Sequence, residues 1–179
     1  SFSHIGIMAG AIMTNSVQGV QGAIFQMVAH GINAVGLFYV AKLIADRTNT
    51  RSLSGMGGLA HTAPKLSVAF MVILLGSVAL PLTNGFVGEF LMLKSIFDFD
   101  PILGFVAGFS VIFGAVYMLR YFQKSMFGDC KFPNVKDLSL AELSILVPIM
   151  LAIIITGVFP NMVLHISEPF VQTLNLISK

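Results

Sequence analysis

The residues that could do chemistry in this sequence are few, and they stand in apolar surroundings. Glu89 lies in SVALPLTNGFVGEF (77–90), where a long apolar run meets Pro81, passes Thr83, Asn84, Gly85 and Gly88, and turns apolar again. An intramembrane carboxylate costs ~2.5–3.5 kcal/mol on insertion scales, so it normally faces a bundle interior or a wet cavity. Burial there favours the protonated acid, while a helix N-terminus favours the anion. A carboxyl balanced between the two could load and release a proton. The plainer reading is a structural pair with Lys94 or another neighbour.

Histidine supplies the second group of candidates. Gln18, Gly22, Gln26, His30 and Asn33 follow four- and three-residue steps and share one helical face. An unperturbed imidazole titrates near ~6.5, so His30 on such a polar stripe could pass protons at physiological pH; it could equally be a hydrogen-bonded packing residue. His4 shares a face with Met8, Ala11 and Asn15, a weaker pattern. His61 and His165 fall in a loop and at a span end and read as solvated or interfacial. No pair of histidines and carboxylates has metal-ligand spacing. The one cysteine, Cys130, excludes an internal disulfide and any cysteine-built zinc or iron–sulfur site. GMGGLA (55–60) follows no strand and lacks the P-loop lysine, so it reads as a flexible connection.

The elements that must position these groups are membrane helices. The chain of 179 residues is 56% hydrophobic and 10% charged, against about 25% charged in soluble domains, and its mean hydropathy is +0.89. No Lys/Arg cluster has the density of a nucleic-acid patch, and no basic n-region marks a signal peptide. A spanning helix needs ~20 apolar residues. Five apolar segments follow: about 1–13, short and read as truncated; 17–41, ending at Lys42; 65–97; 101–122; and 141–164. The expectation is an all-α bundle over 1–164 and an amphipathic tail over 165–179, with Ile166, Phe170, Leu174 and Ile177 on one face, as suits an interfacial helix.

The third segment is too long. As one helix, 65–97 would measure ~50 Å against a ~30 Å hydrocarbon core. Pro81 cannot donate a backbone hydrogen bond, and Gly85 and Gly88 weaken helix further. Two half-helices are expected, about 65–80 and 86–97, with Glu89 in the first turn of the second. Such a break is tolerated in lipid only where freed backbone groups face protein or water, and discontinuous helices mark ion pathways.

Charges set the expected orientation. The loop after the second segment carries Lys42, Arg47, Arg51 and Lys65, and the loop after the fourth carries Arg120, Lys124, Lys131 and Lys136. Two spans separate these loops, so they share a side. The positive-inside rule puts that side in the cytoplasm or matrix.

SHIG (3–6), QGAIFQMVAHGINAVGLFYV (21–40), DRTNTR (46–51), GGLA (57–60), LPLTNGFVGEF (80–90) and YMLRYFQKSMFG (117–128) resemble the C-terminal part of the M (chain 4) subunits of NADH:quinone oxidoreductase, respiratory complex I. The resemblance covers most of the chain, but only the later spans of such a subunit, and it fades in the tail. It implies an antiporter-like fold of two inverted repeats, each with a broken helix; this chain would carry most of the second. The resemblance places His30, from AHG, on the family's central hydrophilic axis, with His4, from SHxG, on the same route. It places Glu89, from GEF, near the outward proton exit. The residues' own pattern makes Gln26 and Asn33, on the His30 stripe, and Thr83 and Asn84, beside the break, the supporting polar groups. Sister subunits usually place a lysine where Glu89 stands, which points to the M type. The family's upstream glutamate and lysines are absent here, so this chain as written is not expected to pump by itself.

The resemblance further implies a component that carries protons and performs no bond chemistry. NADH, FMN, iron–sulfur clusters and quinone would belong to partner subunits, and the chain's own partners would be other membrane subunits and lipid. The implied location is a bacterial cytoplasmic membrane or the mitochondrial inner membrane. A cation/proton antiporter or hydrogenase-linked homologue, and a truncated or split structural module, remain as alternatives.

Overall fold

The computed structural model describes residues 1–53 and 55–177, with side chains placed as far as Thr173. Helix α1 (Phe2–Met13) turns at Thr14 and Asn15 into α2 (Val17–Thr48). Ser16 caps α2 by accepting the Gly19 N–H at 3.0 Å. A short α3 (Leu59–Thr62) precedes α4 (Pro64–Ser77), and α5 (Asn84–Phe99) follows after six non-helical residues. Helices α6 (Pro101–Met126), α7 (Leu140–Val158) and α8 (Asn161–Ile177) complete the chain.

Helices α2, α6 and α7 are each long and apolar enough to cross a membrane. At 14 and 16 residues, α4 and α5 are each short of the ~20 a crossing needs, and the two are halves of a broken span. The break occupies residues 78–83, slightly earlier than Pro81 to Gly85. Pro81 lies inside it, whereas Gly85 and Gly88 lie within α5. Two non-glycine residues of the break take left-handed φ angles, Ala79 at 56° and Leu82 at 74°. Left-handed backbone at such residues is strained and persists only where the surroundings over-determine it. The surroundings here include α7. A Cβ at Gly157 would fall about 2.5 Å from the Leu82 carbonyl oxygen, so only glycine lets the broken backbone lie against this helix.

Other boundaries depart from the apolar segments for physical reasons. Helix α2 continues past Lys42 to Thr48, where Asn49 closes it with a φ of 52°. Charge ends the apolar stretch without ending the helix, because Arg47 reaches out to Glu142 and to the carbonyl of Lys136. The GMGGLA connection is partly ordered, with Leu59 opening α3 and Met56, Leu59 and Ala63 buried. The fifth span stops at Val158 rather than 164, and α8 begins at Asn161, just after Pro160. Helix α8 packs against α2 through a face that buries Ser167 and Val171, leaving Ile166 and Phe170 exposed. The side chains of Leu174 and Ile177 lie outside the described residues.

The two basic loops meet at one end of the bundle, as their separation by two spans requires. Gly58 donates its N–H to the Phe127 carbonyl at 3.1 Å. The Asp137 carboxylate accepts the N–H groups of Lys65 (3.0 Å) and Leu66 (3.1 Å), capping α4 from a different part of the chain. Arg47 donates to both Glu142 oxygens, at 3.0 and 2.8 Å, and to the Lys136 carbonyl at 2.8 Å. Glu142 also closes a capping box with Ser139 at the start of α7. Beneath this end lies the larger apolar core, built around Val40, Ile44, Phe70, Leu74, Met126 and Leu146. A smaller core of Ile7, Met8, Ala11, Ala23, Met92 and Ile96 joins α1, α2 and α5. On α6, Phe105, Phe109 and Phe113 point outward, the surface expected of a helix in lipid or against further protein.

Candidate functional site

Helices α1, α2 and α5 bring the three candidate proton carriers together. His4 Nδ1 stands 3.1 Å from Glu89 Oε1. The Gln26 amide nitrogen lies 3.4 Å from His4 Nδ1 and 3.5 Å from the same Glu89 oxygen, so Gln26 bridges the pair. The His4 and His30 rings stand with centroids 5.1 Å apart, and His30 Nε2 meets Ser1 Oγ at 3.0 Å. The order His30, His4, Glu89 is a short file of titratable groups, His4 in polar contact with Glu89 and the His30 ring beside the His4 ring.

Glu89 is only 3% exposed. It stands in the second turn of α5, because the helix restarts at Asn84 rather than 86. A helix N-terminus acts mainly within the first turn, so the proposed balance between burial and helix dipole gives way to specific partners: His4 and Gln26. Its second oxygen, Oε2, is buried with no hydrogen-bond partner among the described residues. A buried polar atom without a partner calls for an ordered water or a functional role. A structural pair with Lys94 is not formed, since Lys94 pairs with Asp98.

Close packing makes the arrangement possible. A Cβ on Gly88 would fall on the side chain and backbone of Gln26, so glycine lets α5 press against α2 where Gln26 reaches Glu89. One turn along, Asn33 donates from Nδ2 to Asn84 Oδ1 at 3.1 Å, and Asn84 donates to the Ala29 carbonyl at 3.5 Å. Both asparagines are buried, and they tie the start of α5 to α2. Thr83 takes a local part: its hydroxyl donates to the Leu80 carbonyl at 2.6 Å, inside the break. Gln26 and Asn33 therefore face protein, whereas on the same stripe His30 is half-buried and Gln18 is exposed. The sequence missed Ser1, Ser77, Ser110 and Tyr117, which line clefts beside the histidines and Glu89. Their types gave no signal, because serine and tyrosine are unremarkable in apolar helices. His61 and His165 are exposed and apart from the site. Among the described residues no cluster of three or more His, Cys, Asp or Glu side chains is placed to hold a metal.

The sequence matches the family model described as NADH:quinone oxidoreductase/Mrp antiporter, membrane region, over residues 1–115. NADH-quinone oxidoreductase subunit M of Rickettsia prowazekii is 36% identical over 177 residues, covering 97% of this chain and 36% of the relative. Subunit M of Escherichia coli K12 is 34% identical over 175 residues, covering 94% of this chain and 34% of the relative. The chain thus spans about a third of the length of these relatives. Among solved structures, respiratory complex I from Thermus thermophilus contains a chain that matches with a TM-score of 0.86 and 34% identity. The match covers 96% of this chain and 37% of that one. An archaeal membrane-bound sulfane sulfur reductase shares the fold, with a TM-score of 0.75 at 21% identity.

Proposed function

Because this chain belongs to the NADH:quinone oxidoreductase/Mrp antiporter membrane family, we propose that it provides the later spans of a proton-translocating subunit of the M (chain 4) type. In this reading it moves protons within a respiratory NADH:quinone oxidoreductase. Protons pass along His30, His4 and Glu89, and the break beside α5 gives the carboxylate its aqueous outlet. The chain performs no bond chemistry. Electron-carrying groups (FMN and iron–sulfur clusters), NADH and quinone belong to partner subunits, and further membrane subunits pack against this bundle. The end carrying both basic loops faces the cytoplasm or matrix, in keeping with its lysines and arginines.

The observation that carries this reading is the 3.1 Å contact between His4 and Glu89 with His30 one ring-width away. A proton held by Glu89 can pass to His4 Nδ1 without either group moving far. Gln26 steadies both, and an alternation of neutral and charged pairs along the file needs no large rearrangement. The M-type reading is supported over an antiporter by the glutamate at position 89 and by the names of the relatives above.

The test is Glu89→Gln in the assembled complex. The substitution keeps the size and the hydrogen bonding and removes the titration. NADH-driven proton uptake by sealed vesicles is expected to fall while complex content on a native gel stays normal. Normal uptake at normal complex content would leave Glu89 a structural role only.

A further inference from the structure

A cleft of about 470 Å³ opens at the end of the bundle where the basic loops meet, between α2, the loop that follows it and α6. Lys42, Asp46, Arg51 and Tyr121 stand on its polar walls, Phe38 and Met56 on its apolar ones, and none of His4, His30 and Glu89 lines it. Its level in the bilayer follows from the sequence. Lys42 ends the apolar stretch of α2, with Phe38 one turn before it and Asp46 one turn after it. The cleft therefore straddles the level where hydrocarbon gives way to lipid headgroups, and Tyr121 sits where amphipathic rings favour that boundary. Val35 and Phe38, both exposed, continue the face of Lys42 toward the membrane interior.

The charges of this cleft differ from their neighbours in having no protein partner. Arg47, on another face of α2, is taken up by Glu142. Lys42 and Asp46 stand four residues apart and could pair along the helix, yet among the described residues neither they nor Arg51 closes an ion pair. Two cations and one carboxylate leave a net charge of 2 − 1 = +1. The Arg51 fork and the Lys42 ammonium are the donors that phosphate oxygens take best. Asp46 works against a purely anionic headgroup and favours one that also brings a cation able to donate a hydrogen bond. A phosphodiester carrying a primary ammonium answers all three charges. A trimethylammonium has no N–H to give, and a glycerol headgroup leaves the carboxylate without a counter-charge.

We propose that this cleft binds a zwitterionic phospholipid of the phosphatidylethanolamine type, its phosphate on Lys42 and Arg51 and its ammonium on Asp46. The Tyr121 hydroxyl is a further donor to the phosphate, and the acyl chains run past Phe38 and Val35. Helices α2 and α6 pack mainly on other helices rather than on each other, so a lipid seated here ties them together at this end. The site uses none of the groups of the proton-translocating reading and stands or falls apart from it.

The experiment uses the assembled complex in nanodiscs of equal parts phosphatidylethanolamine, phosphatidylcholine and phosphatidylglycerol, with photoreactive p-benzoylphenylalanine in place of Phe38. Mass spectrometry after irradiation identifies the lipid joined to that position. The same photoreactive group in place of Phe105, which points outward from α6, reports the surrounding bilayer. Phosphatidylethanolamine is expected to be enriched at position 38 over position 105 by about threefold, the weight of an exposed ion pair. At equal complex content on a native gel, Asp46→Asn is expected to abolish that preference. Lys42→Gln combined with Arg51→Gln is expected to lower capture of every lipid at position 38. The same lipid composition at both positions, or capture of protein instead of lipid at position 38, overturns the site. Enrichment of phosphatidylglycerol, or an enrichment of phosphatidylethanolamine that survives Asp46→Asn, overturns the assignment of the headgroup.

Discussion

His4 and Glu89, on the first and fifth helices, meet at 3.1 Å in a buried contact that no other described carboxylate shares with a membrane histidine. If Glu89 exchanges its proton through His4, then His4→Ala breaks the file between Glu89 and His30. Proton uptake is expected to fall by more than half with complex content retained. His4→Gln restores a hydrogen bond but no titration, and it is expected to be no better. Full activity in both variants, read as NADH-driven uptake in vesicles, would remove His4 from the path.

The broken span carries strain at a place that can be relieved. Leu82 has a φ of 74° and is 71% exposed, so little packing is lost on shortening its side chain. Left-handed backbone costs a non-glycine residue roughly 1–2 kcal/mol. Leu82→Gly is therefore expected to leave thermal stability unchanged or raise it by up to about 1 kcal/mol, after the entropy glycine adds to the unfolded chain. Leu82→Val, β-branched, is expected to lower it. A thermal denaturation series of the solubilised complex separates the two, and equal effects would argue that the break relaxes freely.

Gly88 is where α5 presses on α2. Gly88→Val would place its side chain on Gln26 and force the helices apart, at a cost of about 1–3 kcal/mol, as overpacking usually does. The same displacement separates Gln26 from Glu89. Native-gel yield and proton uptake are both expected to drop. Gly31, with open space around it, is the control: Gly31→Ala is expected to be neutral in both assays.

Asp137 caps α4 from the loop between α6 and α7. Asp137→Ala removes the acceptor for two N–H groups at the start of the broken span, and a lost cap typically costs about 1 kcal/mol. A lower thermal midpoint is expected, with Asp137→Asn losing less. If Asp137→Ala denatures at the same temperature as the parent, water caps α4 equally well and the loop is not needed to hold it.

Several features were legible in the residues alone. Composition declared a helical membrane protein, because burying 56% apolar residues with so few charges suits lipid better than water. Excess length plus Pro81 declared the break, since a single straight helix could not fit a bilayer. The four- and three-residue spacing of Gln26, His30 and Asn33 put them on one face, and geometry alone makes such residues neighbours. Tertiary structure decided the rest. The exact restart at Asn84 depends on packing of the broken backbone against Gly157 and on the Asn33–Asn84 bond, which no local pattern encodes. Helix α2 outlasted its apolar stretch because Arg47 found Glu142 ninety-five residues later in the chain. The pairing of His4 with Glu89 arose because α1 and α5 both lie against α2, bringing together side chains whose sequence neighbourhoods show no link. Local spacing determines which side chains share a helix face; only the packing of one helix on another determines which faces meet, because that depends on contacts between residues far apart in the chain.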